Sequence, residues 1–281
     1  MKKHITPLLL GTILLLAGCM SLYESRRSQS SSVAEYLFPG EIELAERERL
    51  PRLELPLRAG VAFVPDDRPH RATLPPEERE ALARSVAEAF EGLPFVDSIT
   101  VVPTNYLRPG GSFGNLDQIR RMFGVDIIVL LGYDQMQVIE STTASLAVWT
   151  IVGAYIVPSE RSGTHTLMEA VVYEIPSRSL LFRAPGTNTT GSRYSTAQGQ
   201  ERRLRVDSVS GFNGATESLI DNLHVSLADF EQRVRDRPDD YEIVRRPGYS
   251  GGAGLPLAGI AAGALLLLGG LYQTHVKGRA L

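Results

Sequence analysis

One thiol and one group of glycines are the places where residue type and spacing point to chemistry. Cys19 is the only cysteine in the chain. A cysteine sulfur acts as a nucleophile in its thiolate form. Leu16, Ala17 and Gly18 stand directly before it, and small residues at that point suit cleavage of an export signal. A lone cysteine forms no disulfide within its own chain. If Cys19 is covalently modified, no thiol remains for a cysteine-based catalytic site. Near the other end come Ser250, Gly251, Gly252 and Gly254. Glycine disfavours helix by about 1 kcal/mol per residue relative to alanine, and Pro256 removes a further backbone donor. The chain at 250–254 should therefore open easily into the extended form that a protease needs.

The stretch between these ends offers little for catalysis. His70, His165 and His224 are scattered, with no paired-histidine or paired-cysteine spacing for zinc. No Gly-x-Ser-x-Gly elbow and no Gly-Lys-Ser/Thr phosphate loop occurs. Gly110, Gly111 and Gly114 precede a predicted helix, where backbone amides can face an anion, but a plain loop is the preferred reading. Asp66 and Asp67 read as a solvated turn and His165 as a surface residue. The formal net charge of −3 argues against a nucleic-acid surface. No metal, cofactor or catalytic residue is expected.

The elements that must position the two ends are apolar runs. Lys2 and Lys3 precede an apolar stretch over residues 5–16. Residues 255–272 form an uncharged apolar run, followed by Lys277 and Arg279. About eighteen residues at about 1.5 Å rise each just cross a hydrocarbon core of roughly 30 Å. The basic flanks of both runs favour the cytoplasmic side, so the body between them is expected to be exported. The expected division is a signal peptide at 1–18, a flexible tether at 19–32 and a body at 33–241. A linker and Gly-rich processing region at 242–254, a membrane helix at 255–272 and a basic tail at 273–281 complete it.

Within the body, residues 57–65 read as a first core strand. Pro75, Pro76, Glu77 and Glu78 open a helix in which Leu82, Val86 and Phe90 recur at four-residue spacing. Residues 95–102 form a second strand. Asn115 to Gln118 suggests a capping box for a short helix ended by Gly124. Residues 125–131 have the continuous apolar character of a buried central strand. Residues 142–157 read as a long strand or bent pair, with a short helix as the alternative, 159–164 as a turn, and 166–184 as a hairpin around Pro176, Ser177 and Arg178. Residues 185–200 read as a loop. A last helix spans 215–237, with Leu219, Leu223, Leu227, Phe230 and Val234 on one face and its charges largely on the other. The expected fold is a single mixed-sheet domain, α/β to α+β. Its order is β-α-β-α-β, then antiparallel strands and a C-terminal amphipathic helix.

Three resemblances build on these residues. Leu16-Ala17-Gly18-Cys19 resembles a bacterial lipobox, which implies diacylglycerol on Cys19, cleavage after Gly18 and acylation of the new amine by lipoprotein maturation enzymes. Met20 in place of the inner-membrane retention aspartate then implies the outer membrane. The layout of Gly251, Gly252, apolar run and basic end resembles the GlyGly-CTERM sorting tail of rhombosortases, intramembrane proteases of the rhomboid type. With Trp149 to Tyr155 and Val172 to Gly186, most of the chain resembles the rhombotarget lipoprotein family. That implies a Gram-negative envelope lipoprotein, made in the inner membrane and processed near Ser250 to Gly254. Its implied partners are the maturation enzymes, a rhombosortase and membrane lipid. The strand-helix-strand order, with Gly124 and Asp126 before a mid-sheet strand, resembles the periplasmic domain of the curli-secretion lipoprotein. The expected role is binding or assembly without catalysis. The alternatives are an envelope hydrolase with a dispersed site and a pore-forming export lipoprotein.

Overall fold

The computed structural model describes residues 25–39, 50–66, 74–141, 160–194 and 200–249. Their core is a six-stranded mixed sheet. Strand β1 (Ser25–Ser31) and helix α1 (Val33–Leu37) open the domain. Short β2 (Arg52–Leu55) and β3 (Leu57–Phe63) follow, then α2 (Pro76–Glu88), β4 (Val96–Val101) and α3 (Ser112–Phe123). Long β5 (Ile127–Ser141), β6 (Glu160–Glu174) and β7 (Ser179–Tyr194) lead to α4 (Gln200–Asp236), and β8 (Glu242–Arg245) closes the order.

The sheet order is β4-β3-β5-β6-β7. β3 pairs parallel with both β4 and β5, while β5, β6 and β7 are antiparallel. β5 is central because its first residues, Ile127 to Leu131, are apolar in unbroken sequence and lie between β3 and β6. β3 ends at Phe63, and β5 continues beyond it with β1 as its new neighbour, Ser31 opposite Tyr133 and Ser25 opposite Ile139. The expected α+β class and the β-α-β-α-β order both hold.

Alternation along the strands divides the core. Ile127, Leu131 and Tyr133 of β5, with Met168, Ala170 and Val172 of β6, face α2 and α4. Ile128 and Leu130, with Val171 and Tyr173, face α1 and α3. Sheet and helices thus form three layers with two apolar interfaces. At about 25 cal/mol per Å² of apolar surface, such burial is the main source of stability. Pro76 with Glu77 and Glu78 starts α2, and Gly124 in the left-handed region at φ 67° ends α3.

Several expectations are corrected. The tether expected over 19–32 is instead ordered from Ser25, since β1 adds to the exposed edge of β5. The loop expected over 185–200 carries β7 as far as Tyr194, and the turn expected at 159–164 lies in β6. Helix α4 begins fifteen residues before the expected 215, at Gln200. The linker expected at 242–254 contains β8, which pairs with β2 in a separate parallel ribbon, so the domain runs past 241. The capping box is displaced: α3 begins at Ser112. Asn115 lies inside it and serves as a hub, accepting from Tyr36 Oη (3.0 Å) and Arg108 N (2.7 Å) and donating to Tyr106 O (3.2 Å). The hairpin around Pro176 to Arg178 stands as expected. Residues 142–157 lie outside the described residues.

Candidate functional site: an apolar cavity beneath the C-terminal ribbon

Leu16, Ala17, Gly18, Cys19, Ser250, Gly251, Gly252 and Gly254 all lie outside the described residues, as do His70, Asp67 and the 255–272 run. Among the described residues no helix is long and apolar enough to cross a membrane. The structure does show where the chain comes from and goes. β1 starts opposite Ile139, at the far end of the long strands. The last described residue, Tyr249, is held at the other end by its Oη donating to Pro94 O at 3.1 Å.

That second end contains a cavity of about 390 Å³, lined by 25 residues of which only Glu231 and Arg235 are charged. β3, β4, β5 and β6 provide one wall through residues such as Ala59, Ile99 and Val129. α2 contributes Ala87, and α4 contributes Leu223, Leu227 and Phe230. The β2–β8 ribbon closes the remaining side with Leu53, Leu55 and Ile243. Ala59 and Ala87 are the two smallest side chains of the lining. A site of this volume and apolarity, with few polar groups, has the features of a ligand pocket.

Glu231 is a correction. The spacing puts the charges of the last helix largely away from its apolar stripe, yet the Glu231 side chain is 19% exposed and lines the cavity. In the last turns of α4 both Glu231 and Arg235 line the cavity and are largely buried. Burial pushes the Glu231 carboxyl above the usual carboxylate range, and Arg235, 3.9 Å away, partly opposes this. Leu219, Leu223 and Phe230 are buried as the periodicity requires.

The ribbon is pinned by an ion cluster. Asp126 Oδ2 accepts from Arg58 Nε (3.1 Å), Arg58 Nη2 (2.9 Å) and Arg246 Nη2. Arg120 Nε lies 3.4 Å from Oδ1 as an ion-pair contact outside hydrogen-bond geometry. Arg246 also reaches Glu54 (3.4 Å) and the carbonyl of Pro56 (3.3 Å). A polar cleft of about 430 Å³ lies alongside, lined by Arg52, Glu54, Arg120, Asp126 and Glu174 among others. Glu174 Oε2 accepts from Ser177 N at 2.7 Å, and burial raises its carboxyl. Most of these charges are matched within the cleft, and the arrangement acts as a structural fastening.

The remaining sequence candidates are dispersed. Asp66 is corrected: it bonds Arg79 and accepts from Tyr133 Oη at 2.6 Å, in a partly buried network rather than a solvated turn. Desolvation and the Asp66 carboxylate push the Tyr133 phenol upward. His165 is exposed, with Nδ1 3.3 Å from Thr189 Oγ1, and His224 stacks on Phe90 at 4.5 Å between ring centres. Gly111 precedes α3 next to Asn115, and the Asn115 side chain occupies the space against it. Among the described residues no group of His, Cys, Asp and Glu has the arrangement to hold a metal ion. The structure brings none of the described sequence candidates together. The cavity was missed because its lining comes from nine strands and helices and the segments between them. Two alanines at core positions, Ala59 and Ala87, were the only signal.

No family model matches the chain, and no curated protein matches it. Among solved structures it is similar to the crystal structure of protein XCC0632 from Xanthomonas campestris, family model DUF330. The identity is 8%, the match covers 66% of this chain and 92% of that one, and the TM-score is 0.29. A likeness at that level supports no inference about fold or function.

Proposed function

We propose that this is an exported envelope lipoprotein, anchored through Cys19 and processed near Ser250 to Gly254 by a rhombosortase. Its body acts by binding an apolar molecule and performs no catalysis. The precursor sits in the inner membrane and the mature form in the outer membrane. The observation that carries the binding role is the 390 Å³ cavity with 23 of its 25 lining residues uncharged. The lining is rich in aliphatic and aromatic side chains and presents no nucleophile beside a base, as covalent catalysis requires.

Anchor, processing and binding are tested separately. Cys19→Ala should abolish incorporation of labelled fatty acid; unchanged labelling sinks the lipid anchor. Gly251→Val with Gly252→Val should leave a larger precursor in the inner membrane, because paired β-branched residues restrict the backbone. Mature wild-type protein that retains residues 257–281 in protease-positive cells would overturn the processing. For the body, an environment-sensitive apolar dye should bind the full chain and be excluded by Ala87→Leu. Equal dye binding by both proteins would refute the cavity as the site.

A further inference from the structure

We infer that the ligand is an acyl chain of a membrane phospholipid, taken up through the end of the cavity beside the β2–β8 ribbon with its head group left outside. This rests on the binding role proposed above and names its ligand class. Three observations converge. The interior offers hydrocarbon contact and nothing polar deep within, since Glu231 and Arg235 both belong to the last turns of α4. A free polar ligand would leave its donors and acceptors unpaired there, whereas an acyl chain has none.

The second observation is position. Ile243 of β8 lines the cavity and is 40% exposed, so the ribbon presents an apolar edge to both cavity and surroundings. Tyr249 is bonded to Pro94, between the lining residues Leu93 and Phe95. The apolar run begins at residue 255, six residues later. Six extended residues reach at most about 20 Å. A precursor whose tail is inserted therefore holds this end of the cavity close to the bilayer surface, while β1 starts at the opposite end of the sheet. Phospholipid chains are the apolar molecules at highest concentration there.

The third observation is how the ribbon is held. It has four residues per strand, and a two-stranded pair of that size has little stability of its own. Its polar tie to the sheet is Arg246 to Asp126, and its apolar hold is Leu53 in the core with Tyr241 packed beside it. Displacing it would uncover Leu53 and Ile243 and leave the pairing of β3 to β7 intact.

The test uses the full chain reconstituted in vesicles of phosphatidylethanolamine and phosphatidylglycerol. One set carries a trace of phospholipid with a photoactivatable diazirine near the end of an acyl chain. A second carries a free fatty acid with the same group. Mass spectrometry of the peptides after illumination should place phospholipid adducts in residues 86–99 and 223–234. Ala87→Leu should reduce them about tenfold, the effect of losing roughly 1.4 kcal/mol of binding. Val225→Ala, at an exposed position on α4, should leave them unchanged, and the milder filling variant Ala59→Val provides a second reading if Ala87→Leu does not fold. Adducts confined to residues 255–272 overturn the inference. So does labelling of the cavity peptides by the fatty acid alone. In either case, dye binding that Ala87→Leu abolishes leaves the broader binding role standing, and absence of dye binding removes both.

Discussion

Helix α4 crosses two unlike surfaces on one face of the same sheet. Its first half lies over a polar ladder. Gln135 Nε2 donates to Thr166 Oγ1 (2.7 Å) and to Ser208 O (3.1 Å), and Gln29 Nε2 donates to Gln135 Oε1 (2.8 Å). Gln137 Nε2 donates to Leu204 O (2.7 Å) and Thr164 Oγ1 (3.2 Å). Its second half lies over the apolar cavity. The close approach between the two is at Gly186 of β7, where an added Cβ would collide with the Ala215 carbonyl and Leu219. The difference shows two ways to seat one helix. Buried amides must be satisfied, so the ladder fixes the register, and the space beside it, about 390 Å³ bordered by Gln29, Gln135, Gln137 and Ser208, is polar. Aliphatic side chains make no such demand, so the far half tolerates unfilled space and can accept a guest.

The comparison can be broken most severely at Leu223, 2% exposed and part of the cavity wall. Leu223→Asp places a carboxylate in an apolar site and should cost about 3 kcal/mol or more. A Tm reduction of about 6–12 °C is expected in a thermal melt; a change of a degree or two would mean that the wall is open to water. Next is Gln135→Leu in the ladder. It leaves Thr166, Ser208 and Gln29 short of partners and should cost about 1–3 kcal/mol. Chemical denaturation should show a lower midpoint with an unchanged slope. Stability equal to wild type would show that the ladder does not fix the seating.

Leu227→Ala is expected to be milder, about 1 kcal/mol, because Leu227 is half-buried and already borders empty space. A larger loss than in Gln135→Leu would reverse the contrast between the halves. The smallest effect is the pH dependence of Glu231. Its carboxyl is raised in the fold by burial, so the folded chain holds the proton to higher pH than the unfolded chain does. Its stabilising contribution is full below the unfolded value and is lost as pH rises through the folded one. Glu231→Gln should flatten the fall in Tm as pH rises above the ordinary carboxylate range of about 4. Glu174, raised for the same reason, retains its own share of the slope. An unchanged pH profile would place Glu231 in solvent.

Much of the architecture is determined by local pattern. The apolar run at Ile127 to Leu131 becomes the central strand because no charge interrupts it. Leu219, Leu223 and Phe230 become the buried stripe because their spacing matches the helix repeat. The Pro176 to Arg178 turn joins β6 to β7 because it separates two β-rich runs. The chemistry suggested at Cys19 and at Gly251 and Gly252 likewise lives in contiguous residues.

Other features depend on partners distant in sequence. Ser25–Ser31 has the composition of a tether, and it becomes a strand only because β5 outlasts β3 and offers a free edge. Glu242–Arg245 reads as linker, and its pairing with β2 requires Arg246 to find Asp126, 120 residues earlier. The first half of α4 is rich in polar and charged residues and lacks a strong apolar repeat, and its seating comes from Gln135 and Gln137 across the layer. The cavity is the extreme case. Hydrophobic periodicity specifies which side chains face inward, but a void depends on whether side chains from separate elements meet. Here the sheet, α2, α4 and a ribbon of four-residue strands come together around 390 Å³ of space, and no one segment contains the information for it.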